Sequence, residues 1–153
     1  MEDEMMREIT ADEVEKVKEC VIALGAYHNQ VSTYFKGAYP RRPYEKTLES
    51  FRQQIEDGIS RMAVIELDGK AAGFCKIDRK DGQGKVDYLM VLEAYRGRGF
   101  GRELMDWAMK VFAEEKISLI EVKVVEGNPA IHLYEKYGFR VNAHLMWKCG
   151  EKS

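Results

Sequence analysis

The sequence lacks any long apolar stretch. No run among its 153 residues approaches the roughly 18 apolar residues that a membrane-spanning helix needs, so no membrane association is expected. The first four residues, MEDE, are acidic and offer no apolar core for a signal peptide. The sequence therefore predicts a cytoplasmic protein.

Cysteine and histidine are too few and too scattered to predict a metal site. Cys20, Cys75 and Cys149 are far apart and show no C-x-x-C spacing, and the three histidines are equally dispersed. Free cysteines are often buried as small apolar residues. We therefore expect reduced cysteines, no metal and no cysteine nucleophile.

An excess of positive charge is also missing. Lysine and arginine number 24 against 26 aspartate and glutamate residues, which gives a formal net charge of -2. No basic stripe interleaved with aromatic residues appears, so a nucleic-acid partner is not expected. The length and the ordinary apolar content favour one globular domain that covers residues 1–153.

Apolar periodicity predicts a mixed α/β domain with the element order β-α-α-β-β-β-α-β-α-β. An Asp-Gly turn at residues 68–69 joins two strands as a hairpin, so the sheet is expected to be largely antiparallel. The predicted strands are residues 5–9, 62–67, 71–77, 86–92 and 119–125, followed by 139–141 and 145–149 as two short strands or one bent strand.

Local signals delimit the first two helices. Thr10 and Glu13 have the spacing of a capping box, the first helix is expected to weaken or end at Gly25, and Pro43 suits the start of the second. Between them, residues 27–44 mix aromatic, polar and cationic side chains. Such a segment is typical of a binding surface, or of a connector whose aromatics complete the core.

The most strongly patterned stretch runs from residue 87 to residue 115. An apolar run, residues 88–92, precedes Arg96-Gly97-Arg98-Gly99-Phe100-Gly101, and an amphipathic helix follows. A strand, a glycine turn and a helix start aim unpaired backbone N–H groups at an anion. This pattern predicts a site for a phosphate-bearing cofactor or substrate at residues 96–101.

Residues 96–101 resemble the Arg/Gln-x-x-Gly-x-Gly/Ala acyl-CoA loop of the GNAT N-acetyltransferases. Residues 128–139, NPAIHLYEKYGF, are similar to that family's Asn-x-x-Ala-x-x-x-Tyr-x-x-x-Gly-Phe segment. The element order also matches over nearly the whole chain. The resemblance implies a GNAT-like fold and direct transfer of acetyl from acetyl-CoA to a primary amine.

The resemblance also implies which residues hold acetyl-CoA. Backbone N–H groups of the glycine-rich turn would cradle the pyrophosphate, because glycines allow close approach. Backbone groups of the preceding strand would bond the pantetheine and the thioester carbonyl, whose oxyanion they would stabilise. Asn128 would bond the same arm, or serve only as a helix cap. The implied cofactor-binding residues are Leu89, Met90, Val91, Arg96, Gly97, Arg98, Gly99, Phe100, Gly101 and Asn128.

Three residues are candidates for proton transfer. Tyr134 occupies the position of the family's general acid, although it also suits a core aromatic on a helix face. Asp87 shares strand parity with Leu89 and Val91, which predicts that the three point to one face. Asp87 and Glu126 are the candidate bases for the acceptor amine, and either is equally explained as a solvated charge.

The acceptor is not readable from the sequence. Residues 27–44 and 79–84 are the expected specificity elements, and their charges do not choose between a small-molecule amine and a peptide or protein amine. A homodimer is an expectation from the resemblance alone. The alternative to an enzyme is a catalytically silent CoA-binding or regulatory module on the same fold.

Overall fold

A computed structural model describes residues 3–150. Its five strands form one sheet in the order β1-β2-β3-β4-β5. Strands β1 to β4 are antiparallel neighbours, and β5 runs parallel to β4. The strands are β1 Glu4–Ile9, β2 Ser60–Leu67, β3 Lys70–Lys80, β4 Gln83–Val91 and β5 Leu119–Val122. The predicted fold class, a mixed and largely antiparallel sheet flanked by helices, is confirmed.

Helices cover both faces of the sheet. The α-helices are α1 Lys18–Val31, α2 Tyr44–Glu56, α3 Phe100–Glu114 and α4 Ala130–Lys136, with 3-10 turns at Ala11–Val17 and Glu93–Tyr95. Within residues 3–150, none of these helices has the length and apolar character needed to span a membrane.

The start of the first helical segment was predicted correctly, but its end was not. The Glu13 carboxylate accepts the backbone N–H of Thr10 at 3.2 Å, as a capping box requires. Gly25 does not end the helix, because α1 continues to Val31. A Cβ atom at Gly25 would lie 3.4 Å from Cδ of Pro40, so this glycine brings the helix close to the following loop.

Two apolar clusters hold the layers together, one on each face of the sheet. Burying a large apolar side chain contributes roughly 1.5–3 kcal/mol. The cluster between the sheet and helices α3 and α4 includes Ile65, Ile77, Leu104, Met105, Phe112 and Tyr134. The cluster between the sheet and helices α1 and α2 includes Val14, Val17, Leu48, Phe51, Met62 and Phe74.

The end of the chain differs from the prediction. Strand β5 ends at Val122, and residues 139–150 form no strand, so the last strand of the predicted order is wrong. Trp147 instead packs against the loop after α1, with its ring centroid 5.2 Å from that of Phe35. Contacts with a distant aromatic residue outweigh the strand propensity of this segment.

Strand β4 is divided at Asp87. Residues 83–86 pair with β3 on one side and with β5 on the other. In the register with β3, Ile77 faces Val86 and Lys76 faces Tyr88, which leaves Asp87 as the extra residue of a β-bulge. Beyond it, among residues 3–150, residues 88–91 pair only with β3. We call residues 83–86 the closed half of β4 and residues 87–91 the open half.

Candidate active site

The glycine loop, residues 96–101, joins the open half of β4 to helix α3. Gly97 and Gly99 have φ values of +83° and +85°, in the left-handed region, and Gly99 is the N-cap of α3. A non-glycine residue would be strained in this conformation. The alternating glycines are thus explained by the turn that leads into the helix.

The start of α3 presents free backbone donors. Intrahelical bonding begins with the N–H of Glu103, which donates to the carbonyl of Gly99 at 3.0 Å. The N–H groups of Phe100, Gly101 and Arg102 precede this bond and have no intrahelical acceptor. A Cβ atom built at Gly97 or Gly99 meets no atom within 4 Å, so the adjoining space is open. This geometry suits an anion.

The side chains of the glycine loop differ in their surroundings. Phe100 is buried in the core with 3% of its surface exposed, so only its backbone can face a ligand. The Arg98 guanidinium lies 5.5 Å from the Tyr95 ring centroid. A Cβ atom at Gly101 would lie 3.4 Å from the Leu133 side chain of α4, which brings α4 beside the loop.

Arg96 ties the glycine loop to the open half of β4. Its Nε donates to the carbonyl of Val91 at 3.0 Å, and its Cζ lies 4.5 Å from the ring centroid of Tyr27 in α1. This is a cation–π contact. A carbonyl oxygen has two lone pairs, so the Val91 oxygen keeps one acceptor position.

Tyr134 lies on α4 inside the apolar cluster against which Leu89 and Val91 pack. Its side chain is buried, with 6% exposed, and its ring meets that of Phe139 edge-on at 5.9 Å. Burial, and to a smaller extent Cys75, raises the pKa of the phenol above its ordinary value. The phenol therefore holds its proton throughout the neutral range.

The Asp87 carboxylate is engaged by two lysines. Lys76 Nζ lies 2.6 Å from Oδ2, and Lys85 Nζ lies 3.5 Å from Oδ1. Lys76 is fully buried and also contacts Asp78 Oδ1 at 2.7 Å. A buried ammonium needs such carboxylates, because an unpaired buried charge is costly.

The parity prediction for Asp87 is wrong. The ammonium that binds it lies 5.2 Å from the Phe51 ring centroid, on the face of the sheet covered by α2. Leu89 and Val91 pack on the opposite face, against the α3 and α4 cluster. The β-bulge breaks the two-residue alternation, so Asp87 and these residues face opposite sides.

Glu126 is exposed and connects the turn before α4 to the end of α1. Its carboxylate accepts the backbone N–H of Thr33 at 2.9 Å and the Thr33 hydroxyl at 2.7 Å. These bonds lower the pKa of Glu126. At the neighbouring Gly127, a Cβ atom would lie 2.1 Å from the carbonyl oxygen of Val31, so only glycine fits there.

Asn128 lies one residue before Pro129, the N-cap of helix α4. Its Oδ1 accepts the backbone N–H of Ala130, the first residue of that helix, at 2.9 Å. Asn128 thus supports the start of α4 without being its N-cap residue. The side-chain NH₂ group of Asn128 is a separate donor.

The cysteines lie apart from one another. Cys20 and Cys75 are buried free thiols, as expected for cysteines that act as small apolar residues, whereas Cys149 is exposed. Burial raises the pKa of Cys20 to about 12. Across residues 3–150, no three His, Cys, Asp or Glu side chains are grouped as ligands of a metal ion would be.

Three residues of this region were not predicted, namely Lys76, Thr33 and Trp147. Lys76 had a signal, since it interrupts the apolar residues 71–77 and is followed two residues later by Asp78. A cation in a buried strand requires a carboxylate. Thr33 and Trp147 had none, because their contacts are with residues far away in the sequence.

Solved structures of acetyltransferases share this fold. The PaiA N-acetyltransferase from Thermoplasma acidophilum in complex with coenzyme A superposes with a TM-score of 0.74 at 16% identity, and the match covers 92% of this chain and 91% of that one. A predicted acetyltransferase with acetyl-CoA from Clostridium acetobutylicum gives a TM-score of 0.75 at 14% identity, with 96% of each chain covered.

Curated relatives are N-acetyltransferases by name. The SPbeta prophage-derived uncharacterized N-acetyltransferase YokL of Bacillus subtilis (strain 168) is 32% identical over 104 residues, which are 63% of this chain and 57% of that protein. The spermidine N(1)-acetyltransferase of Escherichia coli (strain K12) is 30% identical over 113 residues, 68% of this chain and 60% of that protein. The chain thus spans about three fifths of the length of these relatives.

The family model described as "Acetyltransferase (GNAT) family" matches residues 24–139. This stretch includes both motifs, the open half of β4 and helix α4. The predicted family is confirmed. The chain belongs to the GNAT family of acetyltransferases.

Proposed function

We propose that this protein transfers acetyl from acetyl-CoA directly to a primary amine. The observation that carries the proposal is the junction of the glycine loop with the open half of β4. Free N–H groups at the start of α3 adjoin a strand edge that has no second strand partner in the described part of the chain. The N–H groups at the start of α3 suit an anionic headgroup, and the open strand edge suits an amide-containing arm.

The cofactor is proposed to follow this junction. N–H groups of residues 97–101 bind the pyrophosphate, with Arg96 and Arg98 adding positive charge. Backbone groups of Leu89, Met90 and Val91 bond the pantetheine amides and the thioester carbonyl. The side-chain NH₂ group of Asn128 donates to the same arm, while its oxygen continues to accept the Ala130 N–H.

The proposed reaction moves two protons. The neutral amine nitrogen attacks the thioester carbon and forms a C–N bond, and the carbonyl electrons move to oxygen, where backbone donors stabilise the charge. Collapse of this intermediate breaks the C–S bond. Tyr134 donates a hydrogen bond and then its proton to the departing sulfur. Burial raises the pKa of this phenol, so the proton is present on Tyr134 at neutral pH.

The proton lost by the amine is assigned to Glu126, directly or through water. Glu126 is exposed beside the turn that enters α4, and its carboxylate retains free lone pairs. Asp87 remains the other candidate, but its protonation would weaken the binding of the buried Lys76 ammonium. We therefore propose that Asp87 mainly maintains the bulge that separates the two halves of β4.

The glycine loop provides the test. Gly99→Glu would place a carboxylate against the phosphates, and we expect CoA affinity, measured by calorimetry, to fall by about 100-fold or more. Gly82→Glu is the matched control, since Gly82 also has positive φ and open space around it but lies in the turn between β3 and β4. Unchanged CoA affinity in the Gly99 variant would contradict the assigned site.

Thiol release distinguishes an enzyme from a silent module. The wild-type protein is expected to release free CoA thiol from acetyl-CoA when a suitable amine is supplied. Binding of CoA without thiol release across a broad amine panel would identify the regulatory alternative. Circular dichroism of each variant reports whether the fold is retained.

A further inference from the structure

Positive charge is concentrated in two segments that are distant in the sequence. Residues 32–43 carry three cations and residues 139–150 carry two, and neither segment contains a single aspartate or glutamate. The chain as a whole has a net charge of -2. The five cations are Lys36, Arg41, Arg42, Arg140 and Lys148.

The fold brings these two segments together through Trp147. Its ring centroid lies 5.2 Å from that of Phe35 and 5.8 Å from that of Tyr39. The guanidinium carbon of Arg41 lies 4.5 Å from the same ring. We call the surface formed by residues 32–43 and 139–150 the cationic wall.

The loop part of the cationic wall has a defined conformation. The side chain of Asn29, in α1, bonds three backbone groups of this loop. Its Nδ2 donates to the Tyr39 carbonyl at 2.7 Å, and its Oδ1 accepts the N–H groups of Gly37 and Tyr39 at 2.8 and 3.0 Å. A loop held in this way can present its charges in a fixed arrangement.

The five cations of the wall lack acidic partners. Within residues 3–150 none of them forms an ion pair, and those with bonded donors use neutral oxygens, as Lys36 does with the Gln30 carbonyl at 2.5 Å. Elsewhere in the fold, cations contact carboxylates, as in Arg7–Glu13, Arg52–Glu15, Lys76–Asp78 and Arg79–Glu115. The carboxylate of Glu126, bonded to Thr33, is the acidic group next to the wall, and it forms no ion pair with the five cations among the described residues.

The wall adjoins the proposed reaction site. Thr33 in the wall donates two hydrogen bonds to Glu126, in the turn that leads to α4 and Tyr134. The charge of Glu126 also acts on Tyr39 in the wall. A molecule bound to the wall can therefore present an amine towards the turn before α4.

We propose that the acceptor amine carries an anionic group, a carboxylate or a phosphate, that the cationic wall binds. The inference rests on the proposed acetyl transfer and specifies its second substrate. Phe35, Tyr39 and Trp147 supply apolar contact beside the charges. A polyamine, whose remaining ammonium groups would be repelled by the wall, is disfavoured as the acceptor.

Matched acceptors test the proposal. Each pair keeps the amine and differs in the anion: phenylalanine and its amide, O-phosphoethanolamine and ethanolamine, and two peptides with Glu or Gln after the N-terminal residue. We expect kcat/KM to be about 10-fold higher for the anionic member of at least one pair, and to decrease with added salt. The pair that responds distinguishes carboxylate from phosphate.

Variants locate the effect. Arg41→Gln and Lys148→Gln should each raise KM for the anionic acceptor about 5- to 10-fold and leave CoA affinity unchanged. Lys110→Gln, which removes an exposed charge from α3, is the matched control and should change neither quantity. Lys148→Gln leaves the contact between Arg41 and Trp147 intact, so its result does not depend on the packing of the tail.

The outcomes separate this inference from the proposed function. Equal kcat/KM for the charged and neutral members of every pair, or a preference for spermidine, would overturn the anionic acceptor while leaving acetyl transfer in place. No thiol release with any amine would instead overturn acetyl transfer itself.

Discussion

The two halves of β4 have the same partner on one side and different surroundings on the other. Residues 83–86 bond to β3 and β5, whereas residues 88–91 bond to β3 alone. Every backbone group in the closed half can contribute to the sheet. The open half keeps donors and acceptors available beside the glycine loop and in the same apolar cluster as Tyr134.

This contrast suggests that the two halves of β4 have different roles. Substitutions in the closed half should lower stability and spare the chemistry, because that half only completes the sheet. Substitutions near the open half should lower activity and spare the fold. Asp87 lies at the bulge between the two halves and is bound by Lys76. Both residues should affect the stability of this bulge.

The largest expected effect is a loss of stability at the bulge between the two halves of β4. Lys76→Met keeps the length of the side chain but leaves Asp78 and Asp87 without their shared ammonium. We expect a loss of about 3 kcal/mol, the lower end of the range for broken buried pairs, because the carboxylates are partly exposed. Urea unfolding measures this loss. Lys85→Met removes a partly exposed partner 3.5 Å from Asp87 and should cost far less.

Next in size is an effect on catalysis beside the open half. Tyr134→Phe keeps the buried ring and removes the proposed proton donor, so kcat should fall by about 100-fold with little change in stability. Tyr137→Phe is the control on the same helix. Its hydroxyl bonds Asp106 at 2.6 Å, so turnover should be retained. Normal turnover in the Tyr134 variant would remove this residue from the mechanism.

A substitution in the closed half should lower stability and leave CoA affinity unchanged. A Cβ atom at Gly84 would lie 2.6 Å from the ring of Phe112 and 3.1 Å from the side chain of Ile117. Gly84→Ala should therefore cost about 1–3 kcal/mol of unfolding free energy through overpacking. Affinity for CoA, measured by calorimetry on the folded variant, should not change. A large loss of affinity would show that the halves are not independent.

The smallest expected effect is a pH dependence. The pKa of Glu126 is lowered in the folded protein, so its bonds to Thr33 stabilise the fold above the ordinary glutamate pKa of about 4.3. This contribution is lost as the pH falls through the lowered value. The urea midpoint of Thr33→Val should lie slightly below that of the wild type at pH 7, and the difference should shrink below about pH 4. A difference that grows on acidification would contradict the assignment.

The glycine loop and the start of α3 could be predicted from the sequence because their determinants are local. Three glycines at alternate positions, an apolar run before them and an amphipathic helix after them lie within about 30 residues. Backbone geometry translates this spacing directly into a turn and a helix start. The meander of β2, β3 and β4 could be predicted for the same reason.

The remaining features depend on contacts between distant residues. The bulge at Asp87 leaves no trace in the apolar alternation, so the face that Asp87 occupies could not be derived. Gly25 has a low helix propensity, yet close packing against Pro40 keeps it within α1. The placement of residues 139–150 depends on the contact of Trp147 with Phe35, which no local sequence pattern predicts.

Gly127 is a position where no other residue fits, in contrast to the side chains of the cationic wall. There the turn before α4 meets the carbonyl of Val31 backbone to backbone, at a distance that no side chain could occupy. The turn before α4 is thus fixed by main-chain contact, whereas the cationic wall is made of exchangeable side chains. If the wall binds the acceptor as proposed, substitutions at residues such as Arg41 and Lys148 would change acceptor preference during evolution without disturbing this turn.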